Sequence, residues 1–353
     1  MVKTSRRQRS APTIIDVAKR AGVSPMTVSR VINGESNVRP ATRELVNAAI
    51  TALNYAPNPA ARSLAGAGQN RIGLLYANPS AGYLSEFLVG SLDQASRRDV
   101  QLIVEQCEPG DHELQVARHL IESGVDGVLL PPPLCDSPDL IRLLAEEEVA
   151  TVLVGSAVPP ANQLAVSIDD CQAAYAMTRH MLGLGHLRIG FIQGGPTLKA
   201  SAHRYAGYCS ALEDAEVALD LDLVAPGLFT YRSGLDAAEQ LLDLAEPPTA
   251  IFAGNDDMAA ATVAVAHRRG LDVPGDLTVC GFDDTTLATT IWPELTTIHQ
   301  PIADMSRAAV DMLVTHIRRQ APPTERRHQV LPYTLIRRQS DAPPRRRPPA
   351  RHA

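Results

Sequence analysis

From Arg71 onward one alternation constrains the fold more than any other feature. Continuous apolar runs, each short enough for a strand, are separated by stretches with helical spacing. The strand runs are RIGLLYAN, VQLIVEQC, GVDGVLLPPP, VATVLVGS, LAVSID, LRIGFIQGG, TAIFAGN, LTVCGFDD and LTTIHQP. Helices are predicted at Phe87–Arg97, 111–123, 171–183, 201–216, 233–244 and 257–269. Strands that are apolar throughout are buried on both faces, which implies parallel sheets covered by helices on either side. About ten such strands exceed one small sheet, so two doubly wound α/β subdomains are expected. In that architecture ligands sit beyond the carboxyl ends of the strands. The residues there are Asn78, Gly155, Asp169, Gly194, Asn255, Asp256, Asp283 and Asp284.

The first seventy residues read differently. Thr13 precedes IIDVAKRA, with Asp16 three residues on, a shortened capping box. Ile15 and Ala18 are placed inward, Gly22 breaks the helix, and Val23 fills the turn. In SPMTVSRVING, Ser24 stands at an N-cap position and Pro25 at the first helical position, where its missing N–H costs nothing. Val28 and Ile32 supply a core face, and Asn33-Gly34 ends the helix. A third helix starts at Pro40, with Leu45, Ala49 and Leu53 on its stripe. Two short helices around a glycine turn, backed by a third, form a helix-turn-helix over residues 13–57. With Val28 and Ile32 inward, Met26, Thr27, Ser29 and Arg30 project outward, where such a helix enters the major groove.

Charge supports that division. Residues 1–71 carry +8 and residues 337–353 carry +5, in a chain of −6, which leaves −19 for residues 72–336. A basic head on an acidic body is the footprint of a nucleic-acid-binding module fused to another domain. Residues 1–12 are read as a disordered basic extension, and residues 337–353, rich in Pro and Arg, as a disordered tail. Residues 58–70 follow Pro57 and include Pro59, Gly66 and Gly68. On their own they read as a linker in which Asn58 can cap little more than one turn. Five scattered cysteines without a CxxC pair suit a reducing compartment. No run is long enough to span a membrane, and the basic start lacks the apolar stretch of a secretory signal. A cytoplasmic, nucleoid-associated protein without cofactor or metal is expected.

The segments TIIDVAKRAGVSPMTVSRVING and TRELVNAAITALNYAPNPAARSLA resemble the head of the LacI/GalR (lactose repressor) family. IGLLYANPSAGYLSEFLVG, DGVLLPPP, LGHLRIGFIQG, RYAGYCSAL, TAIFAGNDDMA, GDLTVCGFDD and PELTTIHQP match that family's landmarks in order, from about Thr13 to Tyr333. The resemblance implies a dimeric repressor binding palindromic double-stranded operator DNA. It implies that residues 71–336 form an effector-binding and dimerisation domain, with a sugar or glycoside as effector. It turns residues 58–70 into a hinge helix and linker, with Leu64 wedged into a minor-groove step. The DNA-facing set it implies is Thr13, Ser24, Met26, Thr27, Ser29, Arg30, Asn33, Tyr55, Asn58, Ala61 and Leu64. The effector set is Asn78, Tyr83, Arg204, Phe229, Asn255, Asp283 and Gln300.

Within that set Arg204 is the leading candidate, since a fork of donors suits vicinal oxygens. Tyr83 and Phe229 could stack on a sugar face or belong to the core. Asp257 and Asp284 read as helix caps, Asp256 less clearly so. Family members often have Asp where this chain has Gly155, which removes one sugar contact. Three other functions compete. A sugar-binding protein without a transcriptional role would not need the head, and a regulator could use a non-sugar corepressor. A glycosidase would need carboxylates facing one another, whereas Asp169/Asp170, Asp256/Asp257 and Asp283/Asp284 are adjacent in sequence and must point apart.

Overall fold

The computed structural model describes residues 12–32, 38–53, 55, 69–108, 110–156, 158–160, 163–318 and 327–345. The chain divides into two units, residues 1–69 and 70–353.

The first unit contains helices α1 (Ile14–Ala21), α2 (Pro25–Ile32) and α3 (Pro40–Leu53). Asp16 accepts hydrogen bonds from the Thr13 N–H (2.9 Å) and hydroxyl (2.7 Å), which closes the expected box at the start of α1. Gly22 at φ +67° ends that helix, and Ser24 Oγ accepts the Thr27 N–H at 3.1 Å. Val17, Ala18, Val28, Val31, Val46 and Ala49 form the small core. Ile15 and Leu45, expected inside, are 55% and 58% exposed. The buried stripes run through Ile14, Val17, Ala18 and Ala21, and through Val46, Ala49, Ile50 and Leu53. Both stripes have the i, i+3, i+4, i+7 spacing that faces one side of a helix; they keep the expected Ala18, Ala49 and Leu53, while Ile14 and Val46 take the places expected of Ile15 and Leu45.

In chain order the strands of the second unit are β1 (Arg71–Tyr76), β2 (Gln101–Gln106), β3 (Gly127–Leu130), β4 (Ala150–Val154), β5 (Leu164–Ser167), β6 (Ile189–Ile192), β7 (Val224–Ala225), β8 (Ala250–Ala253), β9 (Thr278–Asp283), β10 (Thr296–His299), β11 (His328–Val330) and β12 (Thr334–Ile336). The helices between them are α4 (Ala81–Arg97), α5 (Asp111–Glu122), α6 (Pro138–Glu146), α7 (Asp170–Gly183), α8 (Lys199–Asp214), α9 (Tyr231–Leu242), α10 (Asp256–Arg268), α11 (Thr286–Thr290) and α12 (Ile302–Ile317). They build two six-stranded sheets, ordered β11-β5-β4-β3-β1-β2 and β12-β10-β9-β8-β6-β7. All pairings among the described residues are parallel except that of β12 with β10.

The sequence reading did not place β7, β11, β12, α6, α11 or α12. The first three are two or three residues long, too short for a periodicity signal. Helix α12 follows β10 of the second sheet yet packs on α4, β3, β4 and β5 of the first. The chain therefore passes between the sheets after β5, after β10 and after β11.

The tail expected to be disordered from residue 337 is packed as far as residue 345. Ser340 is fully buried, accepts the Thr296 N–H at 2.8 Å and donates to the Val279 carbonyl. Asp341 pairs with His180 at 2.9 Å and with Arg337 at 3.0 Å. Composition concealed this, because two polar side chains anchor a segment that otherwise reads as Pro/Arg-rich.

Candidate functional site

The two sheets direct their strand ends at a shared cleft with about 570 Å³ of atom-free space. Asn78, Pro132 and Gly155 follow β1, β3 and β4 of the first sheet. Asn255, Asp283 and Gln300 sit at the ends of β8, β9 and β10 of the second. Arg204 comes from the second turn of α8, Phe229 from the loop before α9 and Tyr83 from the first turn of α4. All seven effector candidates thus line one cleft, at the position doubly wound sheets favour for ligands.

The chemistry of several differs from the sequence expectation. Two of the three nitrogens of the Arg204 guanidinium are engaged by the protein. Nε donates to Asp170 Oδ1 at 2.8 Å, and Nη1 donates to the Gly254 carbonyl at 2.6 Å and lies 3.5 Å from Asp283 Oδ1. The guanidinium carbon sits 3.5 Å from the centroid of the Phe282 ring and 5.6 Å from that of Phe229, both within cation–π range. Arg204, Asp170 and Asp283 are each at most 5% exposed. Burial raises both carboxyl groups above the usual carboxylate range, Asp283 strongly, and Arg204 opposes the shift. Sequence reading passed over Asp170 in favour of Asp169. Asp169 caps α7 through the Gln172 N–H at 2.9 Å, and the two side chains diverge as adjacent residues must.

Asn255 is the N-cap of α10. Its Oδ1 accepts the Met258 N–H at 3.0 Å, and its Nδ2 donates to the Phe229 carbonyl at 3.0 Å. The capping expected of Asp257 and Asp284 is therefore corrected: Asp257 accepts the Ser80 hydroxyl at 2.6 Å, and Asp284 pairs with Arg338 at 2.6 Å and His299 at 3.1 Å. Asp256 is fully buried and binds the Thr285 N–H at 2.8 Å and the Thr297 hydroxyl at 2.7 Å. Burial pushes its carboxyl up to about 7, against those hydrogen bonds.

Two contacts tie one wall of the cleft to the other. One is Ser80 to Asp257. The other is Asp136, which accepts the Lys199 backbone N–H at 3.0 Å and lies 3.5 Å from its ammonium. The carboxylate thus sits at the positive end of α8. None of these four residues carries a motif; their proximity to strand ends is the only sequence signal. Phe229, Asp283 and Asp284 adopt φ of +58°, +110° and +59°. Such strain in non-glycine residues gathers at ligand sites. The Phe229 ring covers Gly194 so closely that a Cβ there would meet it at 2.0 Å.

In the head, Met26 is 64% exposed and Arg30 is exposed beside it. Thr27 and Ser29 are half-buried. Ser24 is exposed but its hydroxyl is engaged in the cap. Thr13 bonds to Asp16, and Tyr55 packs against the core of the head. Asn33, Asn58, Ala61 and Leu64 lie outside the described residues. No helix among the described residues is long and apolar enough to cross a membrane.

Residues 13–58 match the family described as bacterial regulatory proteins, lacI family, and residues 178–340 match the periplasmic binding protein-like domain. The catabolite control protein A of Priestia megaterium is 35% identical over 313 residues, covering 87% of this chain and 93% of that protein. A transcriptional regulator CelR–cellobiose complex superposes with a TM-score of 0.72 at 34% identity, covering 93% of this chain and 99% of that one. The lac repressor dimer bound to operator and the anti-inducer ONPF does so with 0.76 at 28% identity, covering 94% and 100%. With a three-helix basic head, a cleft between two parallel sheets and relatives that span nearly its whole length, the chain belongs to the lacI family of bacterial regulatory proteins, which are transcriptional regulators and not enzymes.

Proposed function

We propose that this protein is a dimeric repressor that binds an inverted-repeat operator through α2 and is controlled by a small sugar or glycoside held in the cleft. The convergence of the strand ends of both sheets on one cleft, tied across by Ser80–Asp257 and Asp136–Lys199, carries the reading. A ligand that touches both walls binds the closed and open arrangements differently, and only such a difference can shift the equilibrium. The similar CelR structure holds cellobiose, which supports a sugar in this cleft. The operator-bound lac repressor dimer supports the same partners here. Val89 and Leu92, three residues apart on α4 and each 55% exposed, offer apolar surface suited to a dimer interface. The protein then acts in the cytoplasm, at the nucleoid.

Gel shifts test the operator reading. Binding is expected to favour a palindrome of about 14–20 base pairs over random DNA and to fall steeply with salt. Equal binding to both DNAs refutes it. Arg30→Ala should cost roughly 1–3 kcal/mol of specific affinity and relax preference at one base pair per half-site. A uniform loss on specific and random DNA would reassign Arg30 to the phosphates.

A further inference from the structure

Among the described residues that line the cleft, Arg204 is the only cationic side chain. Its Nε and Nη1 are already engaged by Asp170, the Gly254 carbonyl and Asp283, and its face lies on Phe282. An anion entering the cleft would compete with two buried carboxyl groups for that one guanidinium. On the opposite wall it would approach Asp136, whose own cation, Lys199, is already taken at 3.5 Å. An added anion must either repel those carboxyl groups or force them to hold a proton, and a desolvated anion without a partner is costly.

One polar group of the cleft, among the described residues, lacks a partner. Tyr83 is 5% exposed, and its hydroxyl makes no hydrogen bond. A Cβ on Gly155 would stand 3.9 Å from that hydroxyl, but it would also stand 2.8 Å from Pro132 Cγ, with the glycine at φ +81°. No side chain can therefore grow from Gly155 to satisfy the phenol. A phenol is an uncharged group that both donates and accepts.

Taking the cleft as the effector site, we infer that it selects by charge: it admits uncharged molecules that offer an oxygen to Tyr83 Oη beside Gly155, and it rejects their phosphorylated or carboxylated counterparts. The full-length protein should be titrated calorimetrically with matched pairs: cellobiose and cellobionate, glucose and glucose 6-phosphate, inosine and inosine monophosphate. In whichever pair binds, the neutral member is expected to bind at least about tenfold more tightly than the anion. Tyr83→Phe should weaken the neutral ligand about three- to tenfold. It should not lower the melting temperature of the unliganded protein, because it removes a buried hydroxyl that has no partner. An anion that binds as tightly as its neutral partner overturns the inference, as does a Tyr83→Phe variant with unchanged affinity. A response confined to the nucleoside pair would refute the sugar reading, and the charge rule would then be judged on that pair alone.

Discussion

Arg204→Ala lowers the stability of residues 70–353 by about 3–5 kcal/mol at neutral pH, the loss expected when one partner of a buried ion pair is removed. Arg204 holds Asp170 at 2.8 Å and Asp283 at 3.5 Å, and all three are buried. Without the guanidinium, two carboxyl groups already raised by burial lose the charge that opposes the shift. Each must then take up a proton or remain buried as an uncompensated anion. Carboxyl groups whose folded pKa is raised favour the folded state when protonated, so the gap between wild type and variant should narrow as pH falls from neutral into the acid range. Urea denaturation of both proteins at several pH values measures it. A loss below about 1 kcal/mol would mean that Arg204 has little structural role. Combining Arg204→Met with Asp170→Asn and Asp283→Asn should recover much of the loss, since a network replaced as a whole leaves no stranded charge. A failed ligand response in Arg204→Ala alone would therefore not place the effector on that residue.

The second large effect comes from Asp256. Its carboxyl titrates at about 7 in the folded protein because it is fully buried, although the Thr297 hydroxyl and the Thr285 N–H favour the charged form. A folded pKa above the unfolded value of 3.8 means that the folded state binds this proton more tightly. The stability it contributes is complete below about pH 4 and is lost as pH rises through about 7. A rise from 3.8 to about 7 corresponds to at most about 4 kcal/mol. Asp256→Asn has nearly the same shape and can still accept the Thr285 N–H, while the Thr297 hydroxyl can rotate to accept from the amide. The variant should lose this part of the pH slope and exceed the wild type in stability at about pH 8. Denaturation curves whose midpoints run parallel for the two proteins between about pH 4 and pH 8 would refute the assignment.

Both effects turn on partners that are distant in sequence, and that separates what the sequence by itself determined from what it could not. Local signals were legible. Apolar runs located nine of the strands: eight are buried along most of their length, as strands covered on both faces must be, and β2 is the partly exposed edge of its sheet. The Thr13–Asp16 box and the Ser24 cap were readable because both bonds close within three residues. Of the seven cleft candidates, Asn78, Asn255 and Asp283 could be named because strand ends point at the ligand site in this architecture, and a strand end is a local feature; Tyr83, Arg204, Phe229 and Gln300 came from the family resemblance.

Tertiary structure decided the pairings. Asp170 rather than Asp169 meets Arg204 because α7 and α8 pack side by side and bring one of two adjacent carboxylates inward. Ser80 meets Asp257 across 177 residues because the walls of the cleft belong to different sheets. Helix α12 returns to the first sheet, and Ser340 and Asp341 close over the second, because the chain crosses between the sheets where no periodicity changes. A side chain's type and spacing tell which face of its own element it occupies, whereas its partner depends on where another element comes to lie. For a buried charge such as Arg204, that partner determines whether the group is free to meet a ligand or is already committed to the fold.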